Sequence, residues 1–192
     1  MNWEEFIKKN QIITQKSVDY ALKDVNSNEK YVAFWGSVFS NFFPTRFYLD
    51  GYFWTTSEQY FMWKKAITFG NEEIANKILA TQDPRECRNL GRKVKNYSDD
   101  VWSKIRYDVM YNAVKAKFTQ DALCALCLQK FKTQTFVEGS PIDNIWGVGI
   151  AYYDEKVFDE KNWLGQNLLG KILTSVRNEI FENSPKEVIE KE

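Results

Sequence analysis

Between Ser57 and Phe69 the chain is apolar on two opposite sides of what reads as a helix. This restricts the fold more than any other segment. At about 100° per residue, one face gathers Glu58, Phe61, Met62, Lys65, Ala66 and Phe69, and the opposite face carries Tyr60, Trp63 and Ile67. A helix apolar on both sides belongs between two layers of structure. Glu58 and Lys65 then lie roughly 20° apart, an acid and an amine on one apolar stripe. The chain has no histidine, so acid–base or nucleophilic chemistry falls to carboxylates, lysines, tyrosines or cysteines.

Each of the two residues also has a plain structural reading. Thr55 can cap the helix with Glu58 at the third position, the capping-box pattern. Lys65 can extend its amine out to water along an apolar stem. If it is partly desolvated instead, its pKa falls, and some neutral amine is present at physiological pH, as a Schiff-base nucleophile requires. The same choice applies to Lys64, nearer the helix edge.

A chain of 192 residues with 44% hydrophobic and 16% aromatic content is expected to form one folded domain. Lysine plus arginine and aspartate plus glutamate balance at 26 each, so no global basic field favours nucleic acid or membrane surfaces. The N-terminus lacks a basic region followed by an apolar core, and no apolar run approaches the ~20 residues of a membrane span. Three cysteines in such a chain suggest reduced thiols. The expectation is a cytoplasmic protein without a membrane partner.

Residues 1–30 read as an N-terminal helical extension ending in the polar connector Asn26 to Lys30. Tyr31 to Trp35 reads as a buried strand, and Arg46 to Trp54 as a hairpin turning at Asp50-Gly51. Helices are then predicted after Thr55, from Asn71 to about Ala80, from Asp83-Pro84 to near Gly91, and from Ser98 through Phe118. Another runs from Asp121 to Lys130. A strand at Thr135 to Glu138 leads into two loops, the second spanning Gly147 to Gly165. A last helix covers about Gln166 to Glu182, and residues 183–192 form a charged, frayed tail. The fold class is α+β: one helix-rich domain over 31–182 with a few short strands.

Cys124-x-x-Cys127 has no second pair and no histidine to complete a zinc site, and it sits in the apolar run Ala122 to Leu128. It reads as two small core residues, with no metal implied. Gly147-x-Gly149 lacks the strand-turn-helix context of a dinucleotide site. Glu138 and Asp143 flank a turn-rich segment that also holds Trp146. Carboxylates at a strand end commonly line sites and tryptophan offers a flat face to a base, but Ser140 and Asp143 can equally serve the turn. Asn41, among Phe39, Phe42 and Phe43, can orient a ligand or satisfy a turn.

In order along residues 31–181, several segments together resemble the NADAR family, also called the YbiA-like family. They include Phe39-Ser40-Asn41-Phe42, Asp50-Gly51, Ser57-Glu58-Gln59-Tyr60-Phe61-Met62 with Lys65-Ala66, and Asp83-Pro84. They continue with Leu90-Gly91-Arg92, Trp102, Lys117-Phe118, Val137-Glu138-Gly139-Ser140-Pro141 with Asp143, and Trp146-Gly147-Val148-Gly149. Trp163 to Gly170 and Arg177 complete the set. The resemblance implies a YbiA-like fold and hydrolysis of N-glycosidic bonds on ribosides without a cofactor. It implies two substrate classes, ADP-ribose on guanine and phosphorylated ribosylamino-pyrimidine intermediates of riboflavin biosynthesis. It further implies a lysine that attacks the anomeric carbon and forms a Schiff base; the matching position is Lys65. Glu58, Glu138 and Asp143 are then the expected charge-stabilising or proton-moving groups, and Asn41, Arg92, Trp102, Trp146 and Asn167 the expected substrate-binding ones. Gln59 stands where some relatives carry histidine. A reading from another class is a non-catalytic ADP-ribose binder built on Asn41, Arg92 and the tryptophans.

Overall fold

The structure, a computed structural model, describes residues 13–181. The outer parts of the expected N-terminal extension and tail, 1–12 and 182–192, lie outside the described residues. Helix α1 (Gln15–Ala21) is followed by β1 (Val25–Ser27) and β2 (Tyr31–Phe34). The segment expected as a polar connector therefore opens as a strand, pairing antiparallel with β2 from Val25 opposite Phe34. The hairpin β3 (Phe47–Leu49) and β4 (Tyr52–Trp54) comes next, then α2 (Ser57–Thr68), α3 (Glu72–Ala80), α4 (Pro84–Gly91), α5 (Asp99–Gln120) and α6 (Ala122–Gln129). Strand β5 (Thr135–Glu138) and α7 (Leu168–Phe181) end the described chain, with two short 3₁₀ turns, Glu155–Phe158 and Glu160–Asn162, between them. The architecture is α+β and helix-rich, as the sequence predicts.

The hairpin turns where Asp50 (φ 51°) and Gly51 (φ 88°) both adopt positive φ, the geometry that makes Asp-Gly a hairpin signal. β2 and β5 run parallel, Tyr31 beside Thr135 and Phe34 beside Glu138. A parallel pair needs a crossover, and here it contains the hairpin and α2 to α6. β2 is buried along its whole length, so alternate residues feed two cores. Val32, Phe34 and Phe136 face the main core with Phe39, Phe118 and Leu169. Tyr31, Ala33 and Val137 face Val148 and Val157, with Trp163 packed behind. The 147–165 segment, predicted only as a loop, is thus the cover of the sheet's second face.

The outer edge of β5 is closed by side chains of α7 and the turn before it. Phe136 N–H donates to Thr174 Oγ1 at 3.1 Å, Asn167 Nδ2 donates to the Phe136 carbonyl at 3.0 Å, and Glu138 N–H donates to Asn167 Oδ1 at 3.0 Å. Edge groups that would otherwise be unpaired are satisfied, and the strand end bearing Glu138 is held in place. Gly170 lies flat against the same carbonyl of Phe136, with Asn167 alongside.

Helix α2 has cover on both sides through most of its length. Tyr60 and Trp63 pack on Trp54 of the hairpin, with centroids at 5.3 and 5.1 Å. Phe61 packs on Trp102 of α5 at 5.0 Å, and Met62 sits over Gly91 of α4. Ile67, near the C-terminus, is exposed, so the two-sided burial ends one turn before the helix does. Cys87, Cys124 and Cys127 are free, buried thiols, which agrees with the core reading of the Cys-x-x-Cys pair. Among the described residues no helix is long and apolar enough to cross a membrane.

Gly170→Ala forces a methyl group into the Phe136 carbonyl and the Asn167 clamp. It is expected to lower stability by about 1–3 kcal/mol, the range for overpacking. The shift of the urea midpoint at unchanged m-value measures it.

Candidate active site

The start of α2 differs by one residue from the sequence reading, and the difference matters for chemistry. The N-cap is Thr56, not Thr55: its hydroxyl accepts from Gln59 N–H at 3.0 Å. Gln59 therefore occupies the third position, and its Oε1 accepts from Thr55 N–H and Oγ1, each at 3.0 Å. Its Nε2 donates to the carbonyls of Ile78 and Thr81. Glu58 is thus released from capping. Its own N–H donates to the Asn41 carbonyl at 3.0 Å, which fixes the first turn of α2 against the 37–43 loop. Asn71 likewise makes no side-chain cap; its amide bridges to the backbone of Lys95.

The 37–43 loop is pinned by Lys117, a residue that the sequence reading quoted without assigning it a role. Only 1% exposed, Lys117 donates from Nζ to the Ser40 carbonyl at 2.9 Å. Its ammonium also stands over the rings of Phe43 and Phe118, at 5.5 and 5.2 Å. Burial lowers its pKa, opposed by Cys124, Asp121 and Cys127. A carbonyl acceptor and two ring faces offset part of the cost of burying that charge.

Glu58 is buried, and its pKa is raised from 4.5 to about 7. Burial is the main cause; Asp143 adds to it, while Arg88, Arg92 and Lys65 oppose it. Glu138 goes further, to about 8, from burial first and then the charges of Asp143 and Glu58, with Arg88 opposing. Its Oε2 is buried and has no hydrogen-bond partner among the described residues. These mutual effects place Glu58, Glu138, Asp143 and Arg88 within reach of one another's charge. Asp143 Oδ1 accepts from Ile145 and Trp146 N–H at 2.9 and 2.8 Å, so the turn reading is met while its charge still acts on both glutamates.

Lys65 is half-buried, with Nζ 4.1 Å from the Tyr97 ring centroid. Burial lowers its pKa from 10.5, opposed by Asp99 and Glu58. Tyr97 OH donates to Asp99 Oδ1 at 2.7 Å, fixing the ring under the amine. Lys64 is in a different position: its Nζ donates to Asp50 Oδ2 at 2.7 Å, an ion pair with the hairpin turn. The two adjacent lysines are separated by environment, and only Lys65 shares its surroundings with Glu58.

The expected binding residues divide. Asn41 is 9% exposed, with Oδ1 unpartnered. Trp146 is half-buried and edge-on to Phe61 at 5.3 Å. Arg92 is exposed at the end of α4 and acts on Glu58. Trp102 differs from expectation: 4% exposed, it packs on Phe61 and Phe69 in the core, so it has no free face for a base. Asn167 differs too, because both ends of its amide are used by the β5 backbone; it positions Glu138. Arg88, Tyr97 and Asp99 were missed. Arg88 and Arg92 are four apart on α4 and so share a face, a signal available in the sequence.

A shallow depression of about 510 Å³ opens along the 149–164 segment, lined by Pro141, Tyr153, Asp154, Lys156 and Leu164 among others. None of Glu58, Lys65, Glu138 or Asp143 lines it. The buried acids and the half-buried amine lie apart from this depression. Chemically, they offer a partly desolvated amine and two carboxyl groups that hold protons near neutral pH.

Comparison with known proteins gives the family. The model of the NADAR domain matches residues 29–181. Protein irg-1 of Caenorhabditis elegans is 37% identical over 168 residues, covering 86% of this chain and 70% of that protein. N-glycosidase R617 of Acanthamoeba polyphaga mimivirus is 34% identical over 164 residues, 79% of this chain and 96% of that protein. The NMR structure of the E. coli protein YbiA superposes with a TM-score of 0.67 at 26% identity, covering 85% of this chain and 92% of that one. By its motifs, its matched length and its fold, the chain belongs to the NADAR domain family.

Proposed function

We propose that this protein is an N-glycosidase that hydrolyses the bond between ribose C1 and a base, removing ADP-ribose from ADP-ribosylated guanine. The observation that carries the reading is Lys65: a half-buried amine with lowered pKa, sharing charge effects with a glutamate whose pKa is raised to about 7. A relative named N-glycosidase, R617, spans nearly its whole length in the match, and this supports the reaction class.

Glu138, protonated near neutral pH, donates its proton to the departing base nitrogen as the C1–N bond breaks. The charge developing at C1 is met by neighbouring carboxylate. Lys65 Nζ forms the new bond to C1 and releases a proton to the Glu138 carboxylate. The ring opens as O4′ takes a proton from Glu58, leaving a Schiff base between Lys65 and the sugar. Water then adds to C1 and gives one proton to the Glu58 carboxylate; the carbinolamine collapses to the aldehyde as its hydroxyl proton passes to the departing Lys65 amine, and the free sugar is released. The net change is riboside plus water to sugar plus base.

Borohydride added during turnover of ADP-ribosylated guanine DNA is expected to fix the sugar to Lys65, located by peptide mass spectrometry. Lys65→Ala should lower kcat at least about a thousandfold, the scale of losing a covalent nucleophile. No ADP-ribose release and no adduct would end the proposal. Faster consumption of ribosylamino-pyrimidine phosphates would move the substrate to that class. ADP-ribose binding that survives Lys65→Ala, with no turnover in either form, would make the protein a binder.

The pH dependence follows from the acid role. Glu138 and Glu58 both work while protonated, so kcat is expected to fall as pH rises through about 7 and again through about 8. Glu138→Gln should lose about 10²–10⁴-fold in rate, and the residual activity should lose the limb near 8 and keep the one near 7. A limb near 8 that persists unchanged in the variant would assign the acid elsewhere.

A further inference from the structure

Three buried side-chain oxygens have no hydrogen-bond partner among the described residues: Asn41 Oδ1, Ser57 Oγ and Glu138 Oε2. Buried polar groups are nearly always paired, because an unmade bond costs stability. This chain otherwise follows the rule. Lys117 reaches the Ser40 carbonyl, Gln59 uses both ends of its amide, and Asn167 does the same. The exceptions are not scattered. Asn41 gives its carbonyl to the N–H of Glu58, Ser57 is the residue before Glu58, and Glu138 acts electrostatically on Glu58. Asn41 and Ser57 thus adjoin at the first turn of α2, and the Glu138 carbonyl accepts from Val148 N–H beside the turn whose Trp146 packs on Phe61 of the same helix.

The donor and acceptor pattern narrows what fits. Asn41 Oδ1 can only accept, and Ser57 Oγ can both donate and accept. Glu138 Oε2 can accept, the carboxyl proton being the one that goes to the departing base. A phosphate brings no donor for Asn41 and finds no cation in the trio, and an apolar ring would leave all three unpaired. A hydroxyl donates and accepts at once, and adjacent hydroxyls on a sugar supply two donors and two acceptors. We infer that Asn41, Ser57 and Glu138 form a hydroxyl-reading subsite that selects a ribose over a 2-deoxyribose at the scissile sugar. The inference rests on the N-riboside reading above and adds its sugar specificity and Ser57 as a binding residue.

The test compares binding of ribose 5-phosphate and 2-deoxyribose 5-phosphate by calorimetry to the wild-type protein, Ser57→Ala and Asn41→Leu, with melting temperatures of each. Both probes open to an aldehyde, so chemistry at Lys65 is common to them and cancels in the ratio. The wild type is expected to prefer the ribose by about tenfold, the size of one buried hydrogen bond left unmade. That preference should drop several-fold in at least one variant, while Ser57→Ala melts no lower than wild type because it removes an unpaired group. Equal binding of the two probes, no binding of either, or a preference unchanged in both variants would overturn the subsite. So would Ser57→Ala melting lower with its preference intact, since a purely structural serine behaves that way. N-riboside hydrolysis by a wild type without sugar preference would remove the subsite and leave the reaction. A sugar preference in a protein that hydrolyses no N-riboside would remove the reaction instead.

Discussion

The site depends on a helix that is covered on both sides. With Tyr60 and Trp63 held by Trp54 of the hairpin and Phe61 by Trp102, the first turn of α2 cannot face water. Glu58 is therefore desolvated where it stands. Lys65, two turns along the same stripe, sits where that cover thins and is only half-buried. One packing constraint thus sets two titration states, raising the acid and lowering the base. The two shifts move in the directions that nucleophilic attack and proton transfer near neutral pH require.

Polar anchors keep this arrangement from relaxing. Lys117 fixes the Ser40 carbonyl, the next residue's carbonyl takes the Glu58 N–H, and Asn167 holds the Glu138 backbone. Lys117 and Asn167 are buried and hydrogen-bonded, so their anchoring adds rigidity without leaving an unmade bond. The unpaired oxygens of Asn41, Ser57 and Glu138 lie beside these anchors. Stability is given up where a ligand would bind, a pattern common to functional sites.

Much of the fold was legible because local rules and tertiary packing agree. Asp50-Gly51 turned the hairpin, Asp83-Pro84 opened α4, and the strand at Thr135–Glu138 began and ended where read. The cap of α2 slipped by one residue because Thr55 and Thr56 both satisfy the local pattern. Gln59 wins the inner position through its bonds to Ile78 and Thr81, contacts about twenty residues away that no local window contains. Trp102 and Asn167 are expected at the binding site from the resemblance, and the structure uses both in packing instead. A tryptophan on a helix face and an asparagine before a helix look alike whether they meet a ligand or the core. Lys65 and Glu58 were legible as a pair because helical spacing alone puts them on one face. Their electrostatic company, above all Arg88 and Asp99, comes from separate helices and was not.

The central claim is that Lys65 is a desolvated amine coupled to a buried acid, and its own titration tests this most directly. With lysine side chains carbon-13 labelled, the Lys65 signal followed by NMR should titrate below the ordinary 10.5. In Glu58→Gln it should fall further, because the glutamate's charge supports the ammonium form. An amine that titrates at or above the ordinary value, unchanged in that variant, would contradict the account.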